Sequence, residues 1–152
     1  MVDHMSGSIY AGAHTVGVAH CNNFQDRLYN YHGTNKTDPT MDPTLAKKLM
    51  KTCPANEDGT KSEAFLDQTP GSGDKFDTDF YKEIIAHKGV IDFDQRLAYD
   101  PRTRGLVKQF SSDSHYGYKF AEAMVKLGKL GVLTGKNGEI RKNCHKVNPH
   151  KY

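Results

Sequence analysis

A chain of 152 residues that is 36% hydrophobic and 26% charged builds one domain, or part of one, around a modest core. Its net charge of +3 comes from scattered lysines and arginines rather than a stripe along one face, which argues against nucleic acid as a partner. No apolar run is long enough to cross a bilayer, and the opening Met1-Val2-Asp3-His4-Met5-Ser6-Gly7-Ser8 has neither the apolar core nor the cationic start of a secretory leader.

Residues 1–8 read as a polar leader, expected to be disordered and to lie outside a domain spanning residues 9–152. The pattern predicts a helix from about Ile9 through Cys21, then a second helical stretch ending near Tyr29. Residues 33–40 carry the Gly, Asn, Asp and Pro of a loop. Pro43 opens a short helix through Met50 with Leu45 and Leu49 on one face. Residues 53–74, rich in Pro, Gly, Ser, Thr and Asp, read as an extended surface segment. A helix over Phe76–His87 turns Phe80, Ile84 and Ile85 inward and is stopped by Gly89. Short helices follow at Asp94–Leu97 and Thr103–Phe110. Ser114–Leu127 is the clearest amphipathic helix, with Phe120, Met124 and Leu127 on its apolar stripe. The tail from Gly128 turns repeatedly at its glycines. There is no internal repeat and no strand long enough for a sheet, so the expected fold class is all-α with little or no sheet.

Chemistry concentrates in Gly12-Ala13-His14-Thr15-Val16-Gly17-Val18-Ala19-His20-Cys21. Small and β-branched residues around His14 let a flat, bulky partner approach the backbone and meet the imidazole, as an axial ligand of haem iron requires. An ordinary core histidine is the alternative reading. Asp94, taken alone before a short helix, reads as a cap. The three cysteines, Cys21, Cys53 and Cys144, are an odd count. Cys21 and Cys53 could pair in an oxidising compartment, which would stabilise the fold by about 3–4 kcal/mol on chain-entropy grounds, or all three could be buried thiols of a cytosolic protein.

Further motifs stand in a fixed order: Gln25-Asp26-Arg27-Leu28-Tyr29-Asn30, Asp38-Pro39-Thr40-Met41-Asp42-Pro43, Cys53-Pro54, Leu66-Asp67-Gln68-Thr69-Pro70-Gly71-Ser72, Lys88-Gly89-Val90, Phe93-Asp94-Gln95, and Leu133-Thr134-Gly135 followed by Gly138-Glu139-Ile140-Arg141-Lys142-Asn143-Cys144. With GAHTVGVAHC they closely resemble the proximal, C-terminal half of a plant secretory (class III) haem peroxidase over residues 12–148. The resemblance implies the proximal helical domain of that fold, with the distal domain absent from this sequence. It implies haem b, with His14 as the iron ligand and Asp94 accepting the other ring N–H. A carboxylate there makes the imidazole a stronger donor to iron.

The resemblance also implies a calcium site of Thr15, Asp67, Thr69, a backbone carbonyl near Lys75, and Asp77, a set of hard oxygens suited to that ion. One residue separates Asp67 from Thr69 where the family usually has two, and the loop to Asp77 is longer. A Cys21–Cys53 disulfide is implied, with Cys144 left for a partner in the other half. The implied activity is oxidation of phenolic donors by hydrogen peroxide, in cell-wall chemistry and the response to oxidative stress, by a secreted protein of the wall or vacuole.

The family cleaves peroxide with a distal Arg and His in a segment like RLHFHDCF, which this sequence lacks. Neither Arg141 with His145 nor Arg27 with His32 has both the spacing and the place to substitute. Two expectations therefore stand together. One is a peroxidase whose proximal half is completed by a distal half through the haem-facing surface and Cys144. The other is a catalytically inactive haem- or calcium-binding remnant or interaction fragment. No nucleic-acid or membrane partner is expected.

Overall fold

The computed structural model describes residues 4–149. Seven helices carry the fold: α1 His4–Ala11, α2 Gln25–Tyr29, α3 Pro43–Thr52, α4 Asp79–Ile85, α5 Asp92–Leu97, α6 Arg104–Phe110 and α7 Tyr116–Gly128. Among the described residues a single sheet pairs β1 (Val18–His20) with β2 (Glu63–Phe65), antiparallel, with Val18 opposite Phe65 and His20 opposite Glu63. The architecture is therefore helical, with a minimal sheet.

The long first helix read from the sequence is broken into three pieces. α1 ends at Ala11, a 3-10 turn holds Gly12–Thr15, and β1 follows. The β-branched pair Thr15-Val16 disfavours helix. Gly17, at φ +104°, then takes a left-handed conformation that turns the chain into the strand. His4–Ser8, read as part of a disordered leader, is the first part of α1, while residues 1–3 of that leader lie outside the described residues. The 53–74 segment is not wholly superficial: it supplies β2 and buries Leu66, Asp67 and Ser72.

Two cores flank the His14 turn. The first gathers Phe24, Leu28, Met41, Leu45, Leu49, Leu66 and Val90 around the Cys21–Cys53 disulfide. The Asp42 carboxylate caps α3, accepting from the Leu45 amide at 2.8 Å, and Pro43 fits the first helical position. Arg27 is fully buried at the edge of this core. Its Nε donates to Asp38 at 2.8 Å, and its Nη1 donates to the carbonyls of Gly89 and Val90 at 2.6 and 2.8 Å, tying α2 to the segment that leads into α5. The Asp38 carboxylate also accepts from the amide and hydroxyl of Thr40, both at 2.7 Å.

The second core stacks Phe80, Tyr81, Ile84, Val107, Phe110 and Tyr116 beneath Ile9 and Ala11. α4 starts at Asp79 rather than Phe76, and it buries Tyr81 while Ile85 is 44% exposed. The helix stops before Gly89, with His87 in the left-handed region at φ +66°. α7 rests on α1 through Tyr116 and Ala123, so the expected stripe is not its buried face: Met124 and Leu127 are exposed, and Phe120 is half-buried against Phe76 at 4.8 Å.

Candidate functional site

His14 sits between the two cores because Gly12 lets the backbone lie against tyrosine hydroxyls. A Cβ at Gly12 would fall 1.7 Å from Tyr116 Oη and 2.5 Å from Tyr81 Oη. These hydroxyls hold the end of α1: Tyr81 donates to the Ser8 carbonyl at 2.8 Å, and Tyr116 to that of Ile9 at 3.3 Å. Burial pushes both phenols up, Tyr116 to about 12, so they act as neutral donors.

The His14 imidazole reaches the first turn of α5. Its Nδ1 lies 2.9 Å from Asp94 Oδ2 and 3.1 Å from Oδ1. A carboxylate only accepts, so Nδ1 donates in this contact and Nε2 lies at the opposite ring edge. Asp94 is 1% exposed, whereas the His14 side chain is 37% exposed, so the inner nitrogen is anchored and the outer one faces away from the carboxylate. The bond to Asp94 raises the imidazole pKa despite partial burial. Burial raises the Asp94 carboxyl, and the bond to His14 and the charge of Arg27 pull it back only in part. Two residues that the sequence reading named without placing them at this site support the geometry. Phe80 meets the His14 ring edge-on, with centroids 6.1 Å apart at 83°. The buried Gln95 accepts from the Gly89 amide at 2.9 Å and donates to the Ile84 carbonyl at 2.7 Å, clamping α5 against the end of α4.

The expected cation ligands fall into two hydrogen-bonded sets. Thr15 Oγ1 shares its proton between the Lys75 carbonyl at 3.3 Å and Asp77 Oδ1 at 3.2 Å. Asp67 Oδ1 accepts from the Thr69 amide at 2.8 Å, while its buried Oδ2 has no hydrogen-bond partner. Burial and the charges of Asp77 and Asp79 push the Asp67 carboxyl up, against the pull of Thr69. Asp77 goes the other way. Burial alone would raise it, but bonds from Ser72, the Asp79 amide and Thr15, with Lys82 nearby, hold it below the usual carboxylate range. Ser72, buried and 2.5 Å from Asp77 Oδ2, was not foreseen as part of this cluster, although it lies within the quoted motif. Among the described residues no three His, Cys, Asp or Glu side chains converge as a metal site. The neighbourhood instead offers carboxylate, hydroxyl and carbonyl oxygens in two bonded sets, Thr15–Lys75–Asp77–Ser72 and Asp67–Thr69, with the Asp67 Oδ2 unsatisfied. Such oxygens suit a hard cation.

The remaining candidates lie apart. Cys21 and Cys53 are joined, with Cα atoms 5.6 Å apart, and Cys144 is a free, exposed thiol. Arg27 is locked in its buried ion pair, and His32 meets Arg96 at 3.2 Å on the surface. Arg141 donates to the Cys144 carbonyl at 3.2 Å in the exposed tail that also carries His145.

A family model described as peroxidase matches residues 8–113. Peroxidase 57 of Arabidopsis thaliana is 45% identical over 138 residues, covering 90% of this chain and 42% of that protein. Peroxidase 28 of the same plant is 46% identical with the same coverage. Peroxidase 5 of Vitis vinifera is 40% identical over 139 residues, or 91% of this chain and 42% of its own length. The chain thus spans well under half the length of these curated relatives.

Proposed function

Because the chain belongs to the peroxidase family, we propose that it is the proximal half of a plant haem peroxidase that oxidises phenolic donors with hydrogen peroxide, and that His14 is its haem ligand. The observation that carries this reading is the half-exposed imidazole whose Nδ1–H is held by a buried carboxylate. Apolar Val16 and Phe93, next to His14 and Asp94 in sequence, are exposed, as surface destined for a flat apolar ring would be. Haem b, bound at His14, supplies the redox chemistry. The protein's own part is electrostatic and geometric. Asp94 keeps the proton on Nδ1 and enriches the donor at Nε2, while Phe80 and Gln95 hold ring and carboxylate in place.

Peroxide cleavage takes an Arg and a His within reach of bound peroxide. We assign that pair to a distal half outside this sequence, joined through the haem-facing surface and through Cys144. Residues 9–152 then form the proximal domain. Calcium is the proposed occupant of the Thr15, Asp67, Thr69, Lys75 and Asp77 cluster. The orphaned Asp67 oxygen supports a cation there, and the bond from Thr15 would couple it to the backbone beside His14. The Cys21–Cys53 disulfide supports a secreted protein of the wall or vacuole.

Titration of the protein with ferric haem tests the reading. The expected result is a histidine-ligated, five-coordinate ferric spectrum that disappears in His14→Ala, with guaiacol turnover by this chain alone near background. An unchanged spectrum in His14→Ala overturns it.

A further inference from the structure

Among the described residues, one tyrosine hydroxyl is bonded to an imidazole. Tyr99 Oη lies 2.6 Å from His87 Nδ1, and the rings are inclined at 50° with centroids 5.5 Å apart. The Thr40 carbonyl stands 3.3 Å from Tyr99 Oη and 3.2 Å from His87 Nδ1, as the only other polar contact described for either group. The O···N contact is the shortest of the three, and in the imidazole tautomer that leaves Nδ1 bare the phenol donates across it, with the Thr40 carbonyl as the other acceptor open to Tyr99. His87 occupies a left-handed position just past the end of α4, at φ +66°, where glycine is the usual residue. A β-carbon is strained there, and such strain persists where the surroundings over-determine it. Here the imidazole is delivered to Tyr99.

We propose that Tyr99 and His87 form a surface site for one-electron oxidation of phenols. Tyr99 gives one electron to an oxidant while its phenolic proton moves to His87 Nδ1, leaving a neutral tyrosyl radical beside an imidazolium. A phenolic donor from solution then returns the electron. The proton on Nδ1 goes back to the Tyr99 oxygen, and the oxidised donor releases its own proton to water. The net change is one electron and one proton removed from the donor. As a site of turnover this rests on the peroxidase reading, which supplies the one-electron oxidant at His14. Asp94, bonded to His14, precedes Tyr99 by five residues, so their Cα atoms are no more than about 18 Å apart.

The pairing matters because a phenol cannot lose an electron cheaply while keeping its proton. Partial burial and the Asp38 charge hold the Tyr99 phenol above its usual value, with Arg27 opposing, so it enters the step protonated and needs an acceptor within hydrogen-bond reach. Tyr118 provides the internal control. It is 77% exposed against 38% for Tyr99, but no histidine is bonded to its hydroxyl among the described residues. Accessibility alone favours Tyr118; a proton acceptor favours Tyr99.

The experiment exposes the purified protein, without haem, to hexachloroiridate(IV), a one-electron oxidant. Tyrosyl radicals are captured with a nitroso spin trap and adducts mapped by mass spectrometry, with freeze-quench EPR in parallel. The expected result is an adduct concentrated on Tyr99 that is lost there in both His87→Gln and His87→Gly, the second of which suits the left-handed backbone. Tyr99→Phe should remove the dominant EPR signal. Adducts mainly on Tyr118 in the unaltered protein, or a Tyr99 adduct unchanged in both His87 variants, overturn the proposal. Since the oxidant is external, failure here leaves the haem reading intact, and failure of haem binding leaves this site intact.

Discussion

Asp94 and Asp67 are equally buried, at 1% exposure each, yet their surroundings differ. Asp94 faces an imidazole that engages both of its oxygens. Asp67 has one oxygen bonded to a backbone amide and one bonded to nothing. In the first region both carboxylate oxygens lie within hydrogen-bond distance of one ring nitrogen. The second region leaves one buried carboxylate oxygen without a hydrogen-bond partner. The two meet through adjacent residues, His14 and Thr15. Asp38, buried to 2% exposure, calibrates both, because a guanidinium pairs with it at 2.8 Å.

The largest expected effect comes from making Asp38 resemble Asp67. Arg27→Ala leaves a buried carboxylate without its cation and should cost about 3–5 kcal/mol of stability in denaturant unfolding. A loss below about 1 kcal/mol, the worth of a surface pair, would show that burial does not set these energies here.

Supplying charge to Asp67 comes next. Calcium at a hundred times its dissociation constant should stabilise the protein by about 2.7 kcal/mol, an effect that chelation reverses and Asp67→Asn abolishes. Equal calcium stabilisation of Asp67→Asn would detach the cation from this cluster.

Acid should produce the smallest effect, with opposite signs at the two carboxylates. The Asp38 carboxyl is held low. Burial opposes this, but Thr40 and Arg27 outweigh it, so its contribution is present above the ordinary carboxylate value and lost as pH falls through the lower folded value. Asp67 is raised, so its ionised form destabilises the fold near neutrality and protonation relieves that cost as pH falls. Stability curves of Asp38→Asn and Asp67→Asn against pH should therefore diverge from the unaltered protein in opposite directions. Parallel curves would contradict the contrast.

Much of the helical framework was legible in the sequence, because Pro43, the Leu45/Leu49 face and the Arg104–Phe110 stretch carry local signals. The break after Ala11 was not. It depends on Gly17 adopting a left-handed turn and on three-residue strands too short to show alternation. Ile85 lies off the buried face of α4, which runs through Phe80, Tyr81 and Ile84 because the Tyr81 hydroxyl finds partners inside, at the Ser8 carbonyl and Tyr116. The meeting of His14 with Asp94, 80 residues away, is invisible to periodicity and reached the sequence reading only through family likeness. Ser72 and Gln95 act by filling single hydrogen-bond positions, which leave no pattern in one sequence, and the periodicity that placed Phe80 inward did not say that it would meet His14.

The most direct test of the central claim is the iron–imidazole stretching vibration of the ferrous haem-reconstituted protein, measured by resonance Raman for the unaltered chain and for Asp94→Asn. A carboxylate that strengthens His14 as a donor predicts a clear fall in frequency when it becomes an amide. An identical band in the two proteins would mean that Asp94 does not act through His14 on the metal.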